Sequence, residues 1–174
     1  MHKNDQILEH EFMVDKVSCS LNNVSTSMQM MKGNWNITMR INNRSYKAKV
    51  TKDFFYENSV IIILYESNII SATTLPGFYQ GINSTKLVDA TFASSTPTDE
   101  YVSGAISRTW NSKLPMFVNV KILGWVKYFP GEGWSQKYRM TVSCWDVKLE
   151  FHPSIKDGAI LSGRGSHKCE VNIY

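Results

Sequence analysis

A chain of 174 residues suits one domain, because a single core of that size buries most of its apolar surface. With 43% hydrophobic and 20% charged residues, the composition excludes a globally disordered polypeptide. A net charge of +4 is mildly basic, which suits an anionic surface such as a cell wall or lipid headgroups, and equally a well-solvated exterior.

The longest strictly apolar run is Val60 to Leu64, far short of the roughly 20 residues of a membrane-spanning helix. Residues 1–12 read as a polar N-terminal tail without the apolar stretch of a signal peptide, and residues 13–174 as one domain. Taken by itself, such a chain is expected in the cytoplasm.

Alternation dominates the rest. Val24 to Met31 has room for a turn or two of helix. Trp35, Ile37, Met39 and Ile41 then share one face of an extended segment, with Asn34, Asn36, Thr38 and Arg40 on the other. Asn42-Asn43 is turn-prone, and Tyr46, Ala48 and Val50 resume the pattern. Ser59 to Tyr65 is β-branched and apolar on both faces, which predicts a strand enclosed in a core. Asn83 to Phe92 again allows a turn or two of helix, and the Ser/Thr/Pro-rich run Ala93 to Tyr101 reads as a mobile connection.

Met116 to Tyr128 predicts a long strand carrying Val118, Val120 and Ile122 on one face. Phe129-Pro130-Gly131-Glu132-Gly133 is a hairpin-like turn into a second long strand, Lys137 to Phe151. Within it Met140, Val142 and Cys144 share one parity while Trp145, Val147, Leu149 and Phe151 share the other. Such a phase change predicts a β-bulge or a bend. Pro153 to Gly165 reads as a loop, and Cys169, Val171 and Ile173 as a short last strand. Short strands without βα alternation predict an all-β antiparallel sandwich with at most short helical turns.

The residue types that carry catalysis are present but scattered. His2 and His10 fall in the polar tail, His152 precedes Pro153, and His167 lies beside a Gly-Ser run; no serine sits in a G-x-S-x-G elbow. Cys169 and His167 are two apart on a strand, a spacing that fixes no hydrogen bond between them. Asp53, Glu57, Glu66, Asp89, Asp146 and Glu150 form no acidic cluster for a cation, and Gly163-Arg164-Gly165 lacks the phosphate-loop pattern. These observations predict a protein that is not an enzyme, with no catalytic residues, no metal, no cofactor and no small-molecule substrate.

Lys121, Lys127, Lys137 and Arg139 flank Trp125, Tyr128 and Tyr138 in the loose manner of a stacking platform. The aromatics of a sandwich core and rim give the same pattern, so no nucleic-acid partner is predicted. Asn23, Asn36, Asn43 and Asn83 each begin an N-x-[ST] sequon and are candidate N-glycosylation sites. Of the three cysteines, Cys144 and Cys169 both lie in strand-like segments. Bridged, they would close a loop worth about 3 to 4 kcal/mol; unbridged, they would be buried thiols, and both readings stand at this point.

One ordered series is more distinctive. Phe55-Tyr56, an apolar strand ending at Tyr65, Leu75-Pro76-Gly77-Phe78-Tyr79-Gln80-Gly81 and Asn83-Ser84-Thr85 follow one another. Downstream come Trp125 to Phe129, Val142-Ser143-Cys144-Trp145-Asp146-Val147 and Lys168-Cys169-Glu170-Val171. The series resembles the late embryogenesis abundant subgroup-2 domain of harpin-induced-like and non-race-specific disease-resistance-like plant proteins, also grouped as hydroxyproline-rich glycoproteins. The likeness covers residues 13–174 and is sharpest from Phe54 to Phe92. It departs at Ile41-Asn42-Asn43-Arg44, where the family usually has an Asn-Pro-Asn turn.

The resemblance implies a fibronectin-III- or immunoglobulin-like sandwich with Cys144 and Cys169 paired, and Pro76, Phe78, Tyr79 and Gln80 as the family-motif turn. It implies a non-enzymatic binding or adhesion domain acting in defence, including the hypersensitive response, or in abiotic stress. The location would be the extracellular face of the plasma membrane, reached through an upstream anchor that these residues do not include. The partner would be a protein or the surface of a cell wall or membrane. The alternative is a soluble intracellular desiccation protectant of the same fold.

Overall fold

The computed structural model describes residues 10–22, 30–43, 53–97, 100–129, 137–151, 158–161 and 167–174. The strands are β1 (His10–Asn22), β2 (Met30–Asn43), β3 (Asp53–Tyr56), β4 (Ser59–Tyr65), β5 (Asn68–Leu75), β6 (Phe78–Gln80) and β7 (Thr85–Pro97). After one helix, α1 (Glu100–Asn111), come β8 (Met116–Phe129), β9 (Lys137–Phe151), β10 (Gly158–Leu161), β11 (His167–Lys168) and β12 (Glu170–Ile173).

All pairings are antiparallel, in the order β5-β4-β8-β9-β10-β1-β2-β7. This path folds over into two packed layers, an all-β sandwich. The β5-β4-β8-β9 half contributes Ile61, Ile63, Val118, Val120, Ile122, Met140, Val142, Val147 and Leu149 to the core. The β1-β2-β7 half faces it with Phe12, Val14, Trp35, Ile37, Met39, Ile41, Ala90 and Phe92. Each buried Leu, Ile, Val or Phe side chain contributes about 1.5 to 3 kcal/mol relative to exposure, so the alternation read from β2 is what places that strand.

The phase change in β9 is a β-bulge: Val120 pairs with Cys144 but Val118 with Val147, so Trp145 and Asp146 together oppose Asn119. Asp146 takes a positive φ of 54°, and its N–H donates to Asn119 Oδ1 at 2.9 Å, satisfying the group the ladder drops. Both Val142 and Val147 thereby reach the core.

Several expectations are corrected. β1 starts at His10, and His10 and Phe12 are buried rather than part of a tail. Its alternation is masked by Glu11 and broken by an irregularity between Val14 and Lys16. Asn42-Asn43 ends β2 rather than turning, because both residues pair with β1 and Asn42 also pairs with Thr85 of β7. β4 buries one face: Ile61 and Ile63 lie inside while Val60 is exposed.

Most of the Asn83 to Phe92 segment is strand, and β7 runs on through Ala93 to Pro97, paired with β2 as far as Met30. The structure then has a helix of 12 residues where only short turns were expected. Val102 and Ile106, one turn apart, are both buried against the core. Lys113 takes φ 56° and the Leu114 N–H reaches Thr109 O at 3.3 Å, a Schellman stop made without glycine. β10 lies within the segment read as a loop, held between β9 and β1. The expectations for residues 24–29, 46–50 and 130–133 fall outside the described residues, and so do His2 and His152.

Candidate binding face

The motif turn leads into β6, which pairs with β3. Leu75 is buried, and the Gly77 N–H donates to Asn58 Oδ1 at 2.7 Å. A Cβ on Gly77 would meet Tyr56 O at 2.7 Å, so only glycine allows the chain to pass here. Phe78 stacks on Tyr56 at 4.7 Å between ring centroids. Gln80 is buried and donates through Nε2 to Ile41 O at 2.8 Å and Ser84 O at 3.1 Å. Its Oε1 accepts from the Tyr56 hydroxyl at 3.3 Å, and that hydroxyl oxygen also bonds His10 Nδ1 at 2.5 Å.

Burial lowers the His10 pKa to about 3, so the imidazole is neutral at ordinary pH. Tyr79 is exposed and donates to the Asp53 carboxylate, which holds its hydroxyl above the usual phenol range; Pro76 is exposed as well. Phe78 and Gln80 therefore join β3, β2 and the Ser84 turn, while Pro76 and Tyr79 sit on the outside.

The sequons separate by environment. Asn83 is exposed at φ 53° in the turn before β7. Asn36 is exposed on β2, with Oδ1 accepting from Thr91 Oγ1 at 3.1 Å. Asn43 is 1% exposed, and its Nδ2 donates to Gly81 O at 3.1 Å. Asn43 is thus enclosed, unlike the exposed Asn36 and Asn83. Asn23 lies outside the described residues.

Cys144 and Cys169 form a disulfide. Cys169 stands where the chain leaves β1 for β9, its N–H donating to Phe12 O at 2.9 Å. Cys19 is a buried free thiol, pushed above its ordinary pKa by that burial. Among the described residues, no three His, Cys, Asp or Glu side chains come together as a metal site.

The outer face of β4, β8 and β9 collects what the sequence left loose. The parity that buries Val120, Ile122 and Val126 turns Lys121, Leu123 and Trp125 outward. Across β9, Arg139 and Thr141 stand opposite Trp125 and Leu123, and Val60 of β4 adjoins Leu123 on the other side. Trp125 is 37% exposed and Trp145, thrown outward by the bulge, is 46% exposed.

Cations lie on both indole rings. Lys137 Nζ is 4.9 Å and the Arg139 guanidinium 5.3 Å from the Trp125 centroid, and Lys121 Nζ is 5.0 Å from that of Trp145. Lys127 and Lys137 share Glu57 at 3.1 and 2.9 Å, and hydrogen bonds from Lys137 and then Lys127 lower the Glu57 pKa. Among the described residues, Arg139 and Lys121 have no carboxylate partner. An open groove of about 930 Å³ runs over this face, lined by Leu123, Trp125, Arg139, Thr141, Asn58 and Tyr174.

Of the loose cluster in the sequence, the structure unites Trp125, Lys121, Lys127, Lys137 and Arg139; Tyr138 is half-buried, packed against the core. Trp145 and Leu123 were missed as partners. The signal for Leu123 was its parity with Trp125, and for Trp145 the phase change itself. Compared with family models and with curated proteins, the chain matches none.

Proposed function

We propose that this protein is a non-enzymatic binding or adhesion module of a plant membrane-associated protein, acting in defence or abiotic stress at the extracellular face of the plasma membrane. The observation that carries the binding reading is the exposed pair Trp125 and Trp145, held on one sheet face under cations, two of which lack carboxylate partners among the described residues. Exposed aromatics beside arginine are the residue types that dominate binding energy at interfaces.

The compartment is supported by the Cys144–Cys169 disulfide, since such bonds persist in oxidising surroundings. It is supported also by the exposed sequon at Asn83. The plant and defence assignment rests on the resemblance of the Phe54 to Phe92 series.

Sedimentation with plant cell-wall particles and with plasma-membrane vesicles tests the reading. The purified protein is expected in one of the pellets, and a Trp125→Ala/Trp145→Ala variant in the supernatant. Equal behaviour of the two proteins, or no sedimentation of either, overturns it.

A further inference from the structure

The groove over β8 and β9 has a composition that narrows its ligand. It is lined by Leu123 and Trp125, whose apolar surface is of the kind that the C–H face of a sugar ring covers. It is lined also by Thr141, Tyr174 and Asn58, whose side chains carry neutral hydrogen-bonding groups. Asn58 spends its Oδ1 on the Gly77 N–H, which leaves its amide nitrogen as a donor. One side chain in the groove is charged: Arg139, lying on Trp125 and without a carboxylate partner among the described residues. A guanidinium fork supported on an aromatic ring is built to receive a carboxylate in a bidentate manner.

From these contacts we propose that the groove binds an acidic oligosaccharide, with a uronic-acid carboxylate on Arg139 and the sugar ring against Trp125. This deepens the binding-module reading and rests on it. A neutral sugar would leave both Arg139 and Lys121 without an anionic partner. A bilayer surface is flat and does not enter a concave groove, whereas an extended peptide adds to a sheet edge rather than to this face.

Lys121, over Trp145, supplies a second cation on an aromatic ring. It lies four residues from Trp125 along β8, about 13 Å at the rise of a strand. An oligomer spans both positions and a monosaccharide does not.

The test is a titration of the whole, oxidised protein with a homogeneous uronic-acid oligomer, read by calorimetry and tryptophan fluorescence. The same oligomer with its carboxylates methyl-esterified, and poly-glutamate of equal charge, serve as comparisons. Binding of the acidic oligomer is expected at least tenfold tighter than of the ester or of poly-glutamate. Arg139→Gln is expected to lose tenfold or more for the acid and little for the ester, and Lys121→Gln to weaken long oligomers more than short ones. Trp125→Ala should weaken acid and ester alike; if that variant fails to fold, Arg139→Gln still decides the matter.

Equal affinity for acid and ester, equal affinity for poly-glutamate, or no binding at all overturns the proposal. Sedimentation with cell walls or membranes in the absence of uronate binding would leave the binding-module reading standing while removing this one.

Discussion

Replacing Cys144 and Cys169 together by alanine removes the covalent tie between β9 and the last strand. The bridge spans 25 residues, and the loop-entropy relation gives about 3.5 kcal/mol for a ring of that size. For a chain of this length each kcal/mol moves Tm by roughly 2 to 4 °C, so a fall of about 7 to 14 °C is expected.

The loss should be uneven. β11 and β12 are two and four residues long, and among the described residues β12 pairs with residues 140–143 of β9, the ladder continuing in the Tyr174–Arg139 pair, so few hydrogen bonds hold them once the bridge is gone. Thermal unfolding followed by circular dichroism gives the global term, and hydrogen exchange at residues 170–173 gives the local one. Wild-type protein under reductant should behave as the double variant does. A double variant melting within about 2 °C of wild type, with the β12 amides still protected, would refute the reasoning.

Three further outcomes follow from the packing. A Cβ on Gly124 would lie 2.7 Å from Ser59 Cβ, so Gly124→Ala should cost about 1 to 3 kcal/mol in a urea titration, and Gly124→Ala/Ser59→Gly should recover part of it. Gln80→Ala removes one donor from the Ile41 and Ser84 carbonyls and the acceptor of the Tyr56 hydroxyl, while Ser84 O keeps the Asn43 N–H and Tyr56 keeps His10, an expected loss of about 1 to 3 kcal/mol in the same assay, against little change for exposed Tyr79→Phe. His10 is neutral in the fold down to pH about 3, whereas the unfolded chain binds its proton below the ordinary histidine value of 6.5. The unfolded state therefore holds more protons between those limits, and stability falls as pH drops through that window, by up to about 1.4 kcal/mol per pH unit. A His10→Phe variant should flatten the urea midpoint between pH 6.5 and 5; an unchanged slope would mean that His10 is not its source.

The alternations of β2, β8 and β9 were legible in the sequence because burying one face of a strand selects every second residue. The β9 bulge was legible for the same reason, since Cys144 and Val147 cannot both face the core without it. β1 was hidden by the Glu11 charge beside His10 and Phe12, and α1 by Gly104 and the Ser/Thr/Pro run before it. Single charges and glycines weigh heavily in a local pattern but little against the burial of Phe12, Val102 and Ile106. The loose run of Lys, Arg and aromatic residues around Trp125 could be seen, but not which of them share a surface.

By itself, the sequence determined the faces of β2, β8 and β9, the all-β class, the phase change in β9 and the order of the motif turn, all of which depend on neighbours within a few residues. Only the tertiary structure decided that Cys169 meets Cys144, that Asn43 is enclosed while Asn83 is open, and that Arg139 lies on Trp125. Those outcomes depend on which strands become neighbours and in what register. Pairing register is set by the burial of the whole core at once, and no local stretch of residues contains it.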